Sequence, residues 1–112
     1  MRRIPADALI PIEKLTSYLL VPRPWDDKSK FLAQAGFGST NPQSLLEAIR
    51  ELAADTEAVA DGLSEYGEFF RTDGNLIGPN GRSLPVTAIW LRWNLDGRMR
   101  FVTLKPRRER QP

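Results

Sequence analysis

The feature that most narrows the fold is the punctuation of the second half of the chain. From Ser64 onward, Asp73-Gly74, Gly78-Pro79-Asn80-Gly81 and Asp96-Gly97 separate segments rich in β-branched and aromatic residues, the pattern of an antiparallel meander. Strands are expected over Glu65 to Thr72, Asn75 to Ile77, Ser83 to Trp93 and Arg98 to Lys105, with residues 56 to 63 holding a short further strand at most. Pro106 then opens a polar tail.

The first half has helical spacing instead. Ile12, Leu15 and Leu19 form a stripe that ends before Val21-Pro22-Arg23-Pro24, because proline keeps the preceding residue out of helical geometry. Asp26 or Asp27 is the expected N-cap of a second helix with Phe31, Leu32 and Ala35 on one side and Gly36 at its end. Asn41-Pro42 supplies a cap and first-turn proline for a third helix, with Leu45, Leu46, Ile49, Leu52 and Ala53 as its apolar stripe. The fold class is therefore α+β, with about three N-terminal helices packed on one face of a C-terminal antiparallel sheet of about four strands. A chain of 112 residues with 41% apolar content supports one core. One domain is expected over residues 1–106, with a basic tail at 107–112.

A two-residue Asp96-Gly97 turn fixes the expected faces of the last hairpin. Ile89, Leu91, Val102 and Leu104 fall on one face, read as core and expected to meet the Leu45, Ile49 and Leu52 side of helix three. Ala88, Trp90, Arg92, Phe101, Thr103 and Lys105 fall on the other, whose mixture of rings, hydroxyl and cations suits a binding surface.

Charge is graded along the chain. Residues 1 to 40 sum to +2, residues 41 to 81 to −6 and residues 82 to 112 to +6. A basic side attracts polyanions or an acidic partner protein. Arg107, Arg108 and Arg110 in the tail add general attraction for anions. The absence of cysteine fits a reducing compartment, and no segment has the length and hydropathy of a signal peptide or membrane span, so a cytoplasmic location and no membrane partner are expected.

The chain has no histidine, which removes histidine triads, histidine general bases and nearly every transition-metal site. No metal and no cofactor are implied. The glycine-rich Gly78 to Arg82 stretch lacks the Lys-Ser/Thr ending of a phosphate loop, and Glu47, Glu51 and Asp55 follow a solvated helix row. Lysine, arginine, tyrosine and threonine remain. They suit RNA chemistry, since cations and hydroxyls can stabilise an in-line phosphate and aromatic rings can stack on exposed bases.

Lys14-Leu15 with Tyr18-Leu19-Leu20, Lys30-Phe31, Tyr66-Gly67, Gly78-Pro79-Asn80-Gly81-Arg82, Trp90 and Val102-Thr103 together resemble an uncharacterised bacterial domain-of-unknown-function family, over roughly residues 4 to 106. The resemblance implies toxin–antitoxin-like and polymorphic-toxin settings. The element order also resembles the fold of barnase, the colicin tRNases and the RelE ribonucleases. Where toxin-borne relatives carry a Gly-Arg-His-Lys-like stretch, this chain reads Asp27-Lys28-Ser29-Lys30, which keeps the lysine as Lys30 and lacks the histidine.

The leading expectation is a toxin-like, metal-independent ribonuclease-fold protein acting on RNA. Its catalytic candidates are Lys30, Tyr66, Arg92, Thr103 and Lys105, and its substrate-binding candidates are Arg82, Trp90 and Phe101. The alternative is a non-catalytic binding module, an antitoxin, immunity protein or adaptor, that uses a basic sheet face toward a cognate or other acidic protein. A DNA binder is disfavoured, because no helix concentrates basic residues.

Overall fold

In a computed structural model, residues 2–22 and 28–107 of the chain are described. Strands β1 (Val59–Ser64), β2 (Gly67–Ile77), β3 (Ser83–Trp93) and β4 (Met99–Pro106) form one antiparallel sheet in the order β1-β2-β3-β4. Helix α1 (Ile12–Lys14) runs into a π-helical turn (Leu15–Leu19), followed by α2 (Ser29–Ala33) and α3 (Pro42–Asp55). The helices thus precede the sheet in the chain, as expected. Asp26 and Asp27, the expected caps of α2, lie outside the described residues, as do Arg108 and Arg110 of the tail.

One turn signal acts differently from its composition, and one turn forms without a signal. Asp73-Gly74 makes no turn: β2 runs straight through it and pairs with β3 from Gly67↔Trp93 to Ile77↔Ser83. Gly74 is needed for space, since a Cβ there would stand 2.9 Å from Thr56 Cγ2 and 3.2 Å from Leu52 Cδ1 at the end of α3. The turn into β2 falls instead at Glu65-Tyr66, and the fourth strand is β1, which pairs from Val59↔Arg71 to Ser64↔Gly67.

Caps also differ in detail. Asn41 stands at the N-cap of α3, but its side chain makes no capping bond. It organises the preceding loop, accepting from the Gly38 N–H at 2.8 Å and donating to the Gly36 carbonyl at 3.2 Å. Gly36 ends α2 in a left-handed conformation, with the Gly36 N–H bonded to Ala33 and the Phe37 N–H to Leu32, the paired bonds of a Schellman stop.

The face assignment of the last hairpin is reversed on β3 and divided on β4, where Leu104 is buried as expected but Phe101 is buried too. The buried side chains of β3 are Leu84, Val86, Ala88 and Trp90, facing Leu45, Ile49 and Leu52 of α3 within one core, whereas Ile89 and Leu91 are only half-buried on the outer face. The reversal has two physical causes. Trp90 offers more apolar area than Ile89 or Leu91, and its indole N–H donates to the buried Thr72 hydroxyl at 3.1 Å, so the polar atom enters the core satisfied. On β4 a bulge pairs Ile89 with Thr103 but Trp90 with Phe101, which inserts Val102 and lets Phe101 and Leu104 both face inward. Phe101 meets Trp90 edge to face at 5.5 Å. Ile12, expected in the helical stripe, is 38% exposed, while Leu15 and Leu19 are fully buried.

The segment before α1 is built into the fold. Arg2 accepts the Ala58 N–H at its carbonyl, Arg3 donates to the Ala54 carbonyl at 2.6 Å, and Arg50 of α3 donates to the carbonyls of Ala6 and Ala8. Leu9 then bridges to β4 in parallel, covering part of that edge.

Replacing Trp90 by Ala should destabilise the domain by about 3–5 kcal/mol, and Leu91→Ala by clearly less. Gly74→Val should lose about 1–3 kcal/mol through overlap with Thr56 and Leu52. Denaturant unfolding of the three variants measures all of these, and an equal loss for Trp90→Ala and Leu91→Ala would contradict the face assignment.

Candidate functional site

The chemistry-bearing side chains gather where the π-helical turn meets the edge of β4. In the π-turn the Leu20 N–H reaches back five residues to the Leu15 carbonyl at 2.9 Å, and Leu15, Leu19 and Leu20 are buried while Tyr18 is left half-buried at the surface. Pro11, Glu13, Lys14, Tyr18, Val102 and Thr103 line a cavity of about 580 Å³ there. Lys28, just before α2, carries its ammonium to this cavity: Nζ donates to Tyr18 Oη at 3.3 Å and to Thr103 Oγ1 at 3.5 Å, and lies 5.2 Å from the centre of the Tyr18 ring. Three chain segments, one of them 75 residues from Lys28, thus bring an ammonium, a phenol and a hydroxyl together. Such a group can hold an anionic oxygen and stabilise charge developing on it.

The sequence candidates are dispersed. Of them, Thr103 belongs to this cavity, and Lys30 is exposed on α2, two residues beyond Lys28. Lys105 is exposed on β4 opposite Thr87. Arg92 lies three residues along β3 from Ile89, the partner of Thr103, which puts it about 10 Å away along the sheet at about 3.3 Å per residue. There it bonds Glu68 at 2.7 Å and lies 5.4 Å from the Phe70 ring, lining a separate depression. Tyr66 is 60% exposed in the β1–β2 turn, where its carbonyl accepts the Asn94 N–H. Arg82 is exposed on the turn that Asn80 anchors to Gln34. Thr103 and Arg92 therefore line separate depressions, and no single concavity unites the catalytic candidates. Trp90 and Phe101 are 0% and 1% exposed, so neither ring has a surface on which a base could stack.

Tyr18 and Lys28 are the residues that the sequence reading did not place in a site. The signal for Tyr18 was present in the Tyr18-Leu19-Leu20 stretch, where a phenol interrupts residues that turn out to be buried. Nothing local marks Lys28, because its partners lie 10 and 75 residues away.

A second cavity, about 340 Å³, lies between the N-terminal segment and α3, but its two arginines, Arg3 and Arg50, are engaged with backbone carbonyls. On the outer sheet face Arg71 bonds Asp73 at 3.0 Å and Asp61 at 3.4 Å, so its charge is neutralised locally and its guanidinium is held more strongly protonated, chiefly by Asp73. Burial pushes the Asp73 carboxyl up, but the Thr87 hydroxyl and Arg71 outweigh it and hold the group below the usual carboxylate range. Asp96 is also held low, first by the Arg98 backbone N–H and, against some burial, by Arg100. Among the described residues no cluster of three or more acidic side chains could hold a metal ion, and no helix is long and apolar enough to cross a membrane.

The fold and cavity define an α+β domain with helices on one face of a four-stranded meander and a lysine–tyrosine–threonine cluster at one sheet edge. Residues 5–108 match a family described as a domain of unknown function, DUF6883, and the chain belongs to that family. No curated protein matches it. Among solved structures, a chain of a contact-dependent growth inhibition toxin–immunity protein complex from Klebsiella pneumoniae 342 shares the fold, with a TM-score of 0.68 and 20% identity, covering 89% of this chain and 100% of that one.

Because the folded-state value of Asp73 is depressed, its contribution to stability is complete above the ordinary carboxylate range and is lost as pH falls through that range toward the folded value. Asp73→Asn should therefore be less stable than wild type at neutral pH, with the difference shrinking on acidification. Urea unfolding at several pH values measures this, and a difference independent of pH would contradict it.

Proposed function

We propose that this domain is a toxin-class module that cleaves RNA at the cavity lined by Tyr18 and Thr103, both of which Lys28 bonds. The observation that carries the reading is the Lys28 ammonium poised over two hydroxyl oxygens, 3.3 Å from Tyr18 and 3.5 Å from Thr103, beside a cavity of about 580 Å³. Metal-independent cleavage by the 2′-hydroxyl requires a fixed positive charge for the in-line phosphate and a donor for the leaving oxygen. Lys28 supplies the first and Tyr18 the second. Lys30 and Lys105 add charge for neighbouring phosphates, at positions where RNA would pass rather than react. Arg82 and Arg92 play no part at the reacting phosphate, and Tyr66 does not reach it. The reading is supported by the fold shared with a chain of a toxin–immunity complex and by the resemblance of the element order to bacterial ribonuclease toxins.

A second reading rests on a different surface. Leu63, Tyr66 and Leu95 are 82%, 60% and 84% exposed at the two hairpin ends, which the Asn94 N–H to Tyr66 carbonyl bond ties together. A rigid apolar tip of this kind suits a protein partner, and a binding module of the antitoxin, immunity or adaptor type would use it. The expected basic sheet face is a poorer candidate, since Arg92 on it is paired with Glu68 and its two rings, Trp90 and Phe101, are buried.

Purified protein should cleave bacterial RNA in the presence of a chelator, and Lys28→Ala, with circular dichroism unchanged, should lower the rate by about 100-fold or more. Binding of RNA should weaken steeply as salt is raised, because lysine contacts to phosphate release counterions. A folded wild-type protein that cleaves no RNA, but captures a protein that Leu63→Asp and Leu95→Asp release, would replace the first reading by the second.

A further inference from the structure

We infer that Glu13 is the group that takes the proton from the attacking 2′-hydroxyl, and that the cavity accepts a single unpaired ribonucleotide. This rests on the RNA-cleaving reading above and assigns the role which that reading leaves open. Lys28 and Lys14 are cations suited to phosphate, and Tyr18 Oη and Thr103 Oγ1 already accept from Lys28, so neither hydroxyl oxygen is a strong proton acceptor. Histidine, the usual acceptor, is absent from the chain. Among the described residues that line the cavity Glu13 is the carboxylate, beside Lys14 and on the same helical segment as Tyr18.

The shape of the cavity points to the form of the substrate. About 580 Å³ is within the range of roughly 300–1,000 Å³ usual for small-ligand clefts and holds one nucleotide, not a duplex. Pro11, Val102 and the ring of Tyr18 give apolar wall for a base, while Glu13, Lys14 and Thr103 give polar wall for ribose and phosphate. A base can use such a wall only when it is released from its own stack.

The step balances as a transesterification. Glu13 accepts the 2′-hydroxyl proton, O2′ forms a bond to phosphorus, and the P–O5′ bond breaks with its electron pair going to O5′. That oxygen takes the Tyr18 hydroxyl proton. The resulting phenolate, 3.3 Å from the Lys28 ammonium, is reprotonated by water, and the hydroxide so formed takes the proton from Glu13, which restores both groups. The products are a 2′,3′-cyclic phosphate and a 5′-hydroxyl end.

The test uses the full chain with total bacterial RNA, and then with a hairpin oligoribonucleotide that places the mapped cleavage sequence either in the loop or in the stem. Glu13→Gln should lower kcat by about 100-fold or more while KM stays within about threefold, and Glu13→Asp should recover part of the loss. Wild-type cuts should fall in the loop, end in a cyclic phosphate and vanish when the scissile nucleotide is 2′-deoxy. If Glu13→Gln keeps its kcat while Lys28→Ala loses it, the assignment of Glu13 fails and the cleavage reading stands. Equal cutting of loop and stem overturns the unpaired-nucleotide assignment. If folded wild-type protein cleaves nothing, the cleavage reading itself fails.

Discussion

The placement of Trp90 is the constraint on which the rest of the molecule depends. Its ring lies at the centre of the core, edge to face with Phe101, and its one polar atom is bonded to Thr72 on the neighbouring strand. Once that indole faces inward, the alternation of β3 sends Ala88 and Val86 inward with it and Ile89 and Leu91 outward. Ala88, with its small side chain, and Gly74, without one, leave the sheet surface low where α3 approaches. An indole N–H left without an acceptor in this position would cost on the order of 1–3 kcal/mol, so Thr72 and Trp90 act as a pair.

The same choice reaches the edge of the sheet. Phe101 opposes Trp90, yet Leu104 is also fully buried, and an unbroken β4 would put these two residues on opposite faces. The bulge at Val102 resolves the conflict. Its consequence reaches the cavity, because Val102 and Thr103 together become part of the wall facing α1. The π-turn resolves a comparable conflict on the other side of that cavity: by widening one turn, the chain buries Leu15, Leu19 and Leu20 and still leaves Tyr18 at the rim. Two irregularities, each produced by packing, thus frame one site.

Three arginines of the sheet are spent locally. Arg92 is held by Glu68 and Phe70, Arg100 by Asp96 and the ring of Trp93, and Arg71 by Asp61 and Asp73. These exposed pairs contribute little individually to stability. Their larger effect is to leave the basic excess of the C-terminal third less concentrated than its composition implies, and to separate the hairpin ends, which are apolar and charge-balanced, from the lysine-bearing cavity.

Much of the architecture was legible in the residues alone. Helical spacing, the Asn41-Pro42 start of α3, the Gly36 stop and the turns at Gly78 to Gly81 and Asp96-Gly97 are local signals, and local geometry enforces them. The excluded chemistries were equally legible, because a chain without histidine or cysteine cannot build the sites those residues serve. What required three dimensions was every property that depends on a partner distant in the chain. Asp73-Gly74 has the composition of a turn, but Gly74 answers to Thr56 and Leu52, and no local pattern reveals that. On β3 the packed face is the opposite of the expected one, because alternation gives two faces without saying which one packs, and aliphatic content is a weaker guide than one large ring with a satisfied N–H. Thr103 was found as a candidate from its hydroxyl on a mixed face, whereas Lys28 and Tyr18 became site residues only when the folded chain carried a lysine to a phenol and a threonine on separate elements. Hydrogen bonds between residues 75 apart are set by how helices pack on a sheet, and packing is a property of the whole core.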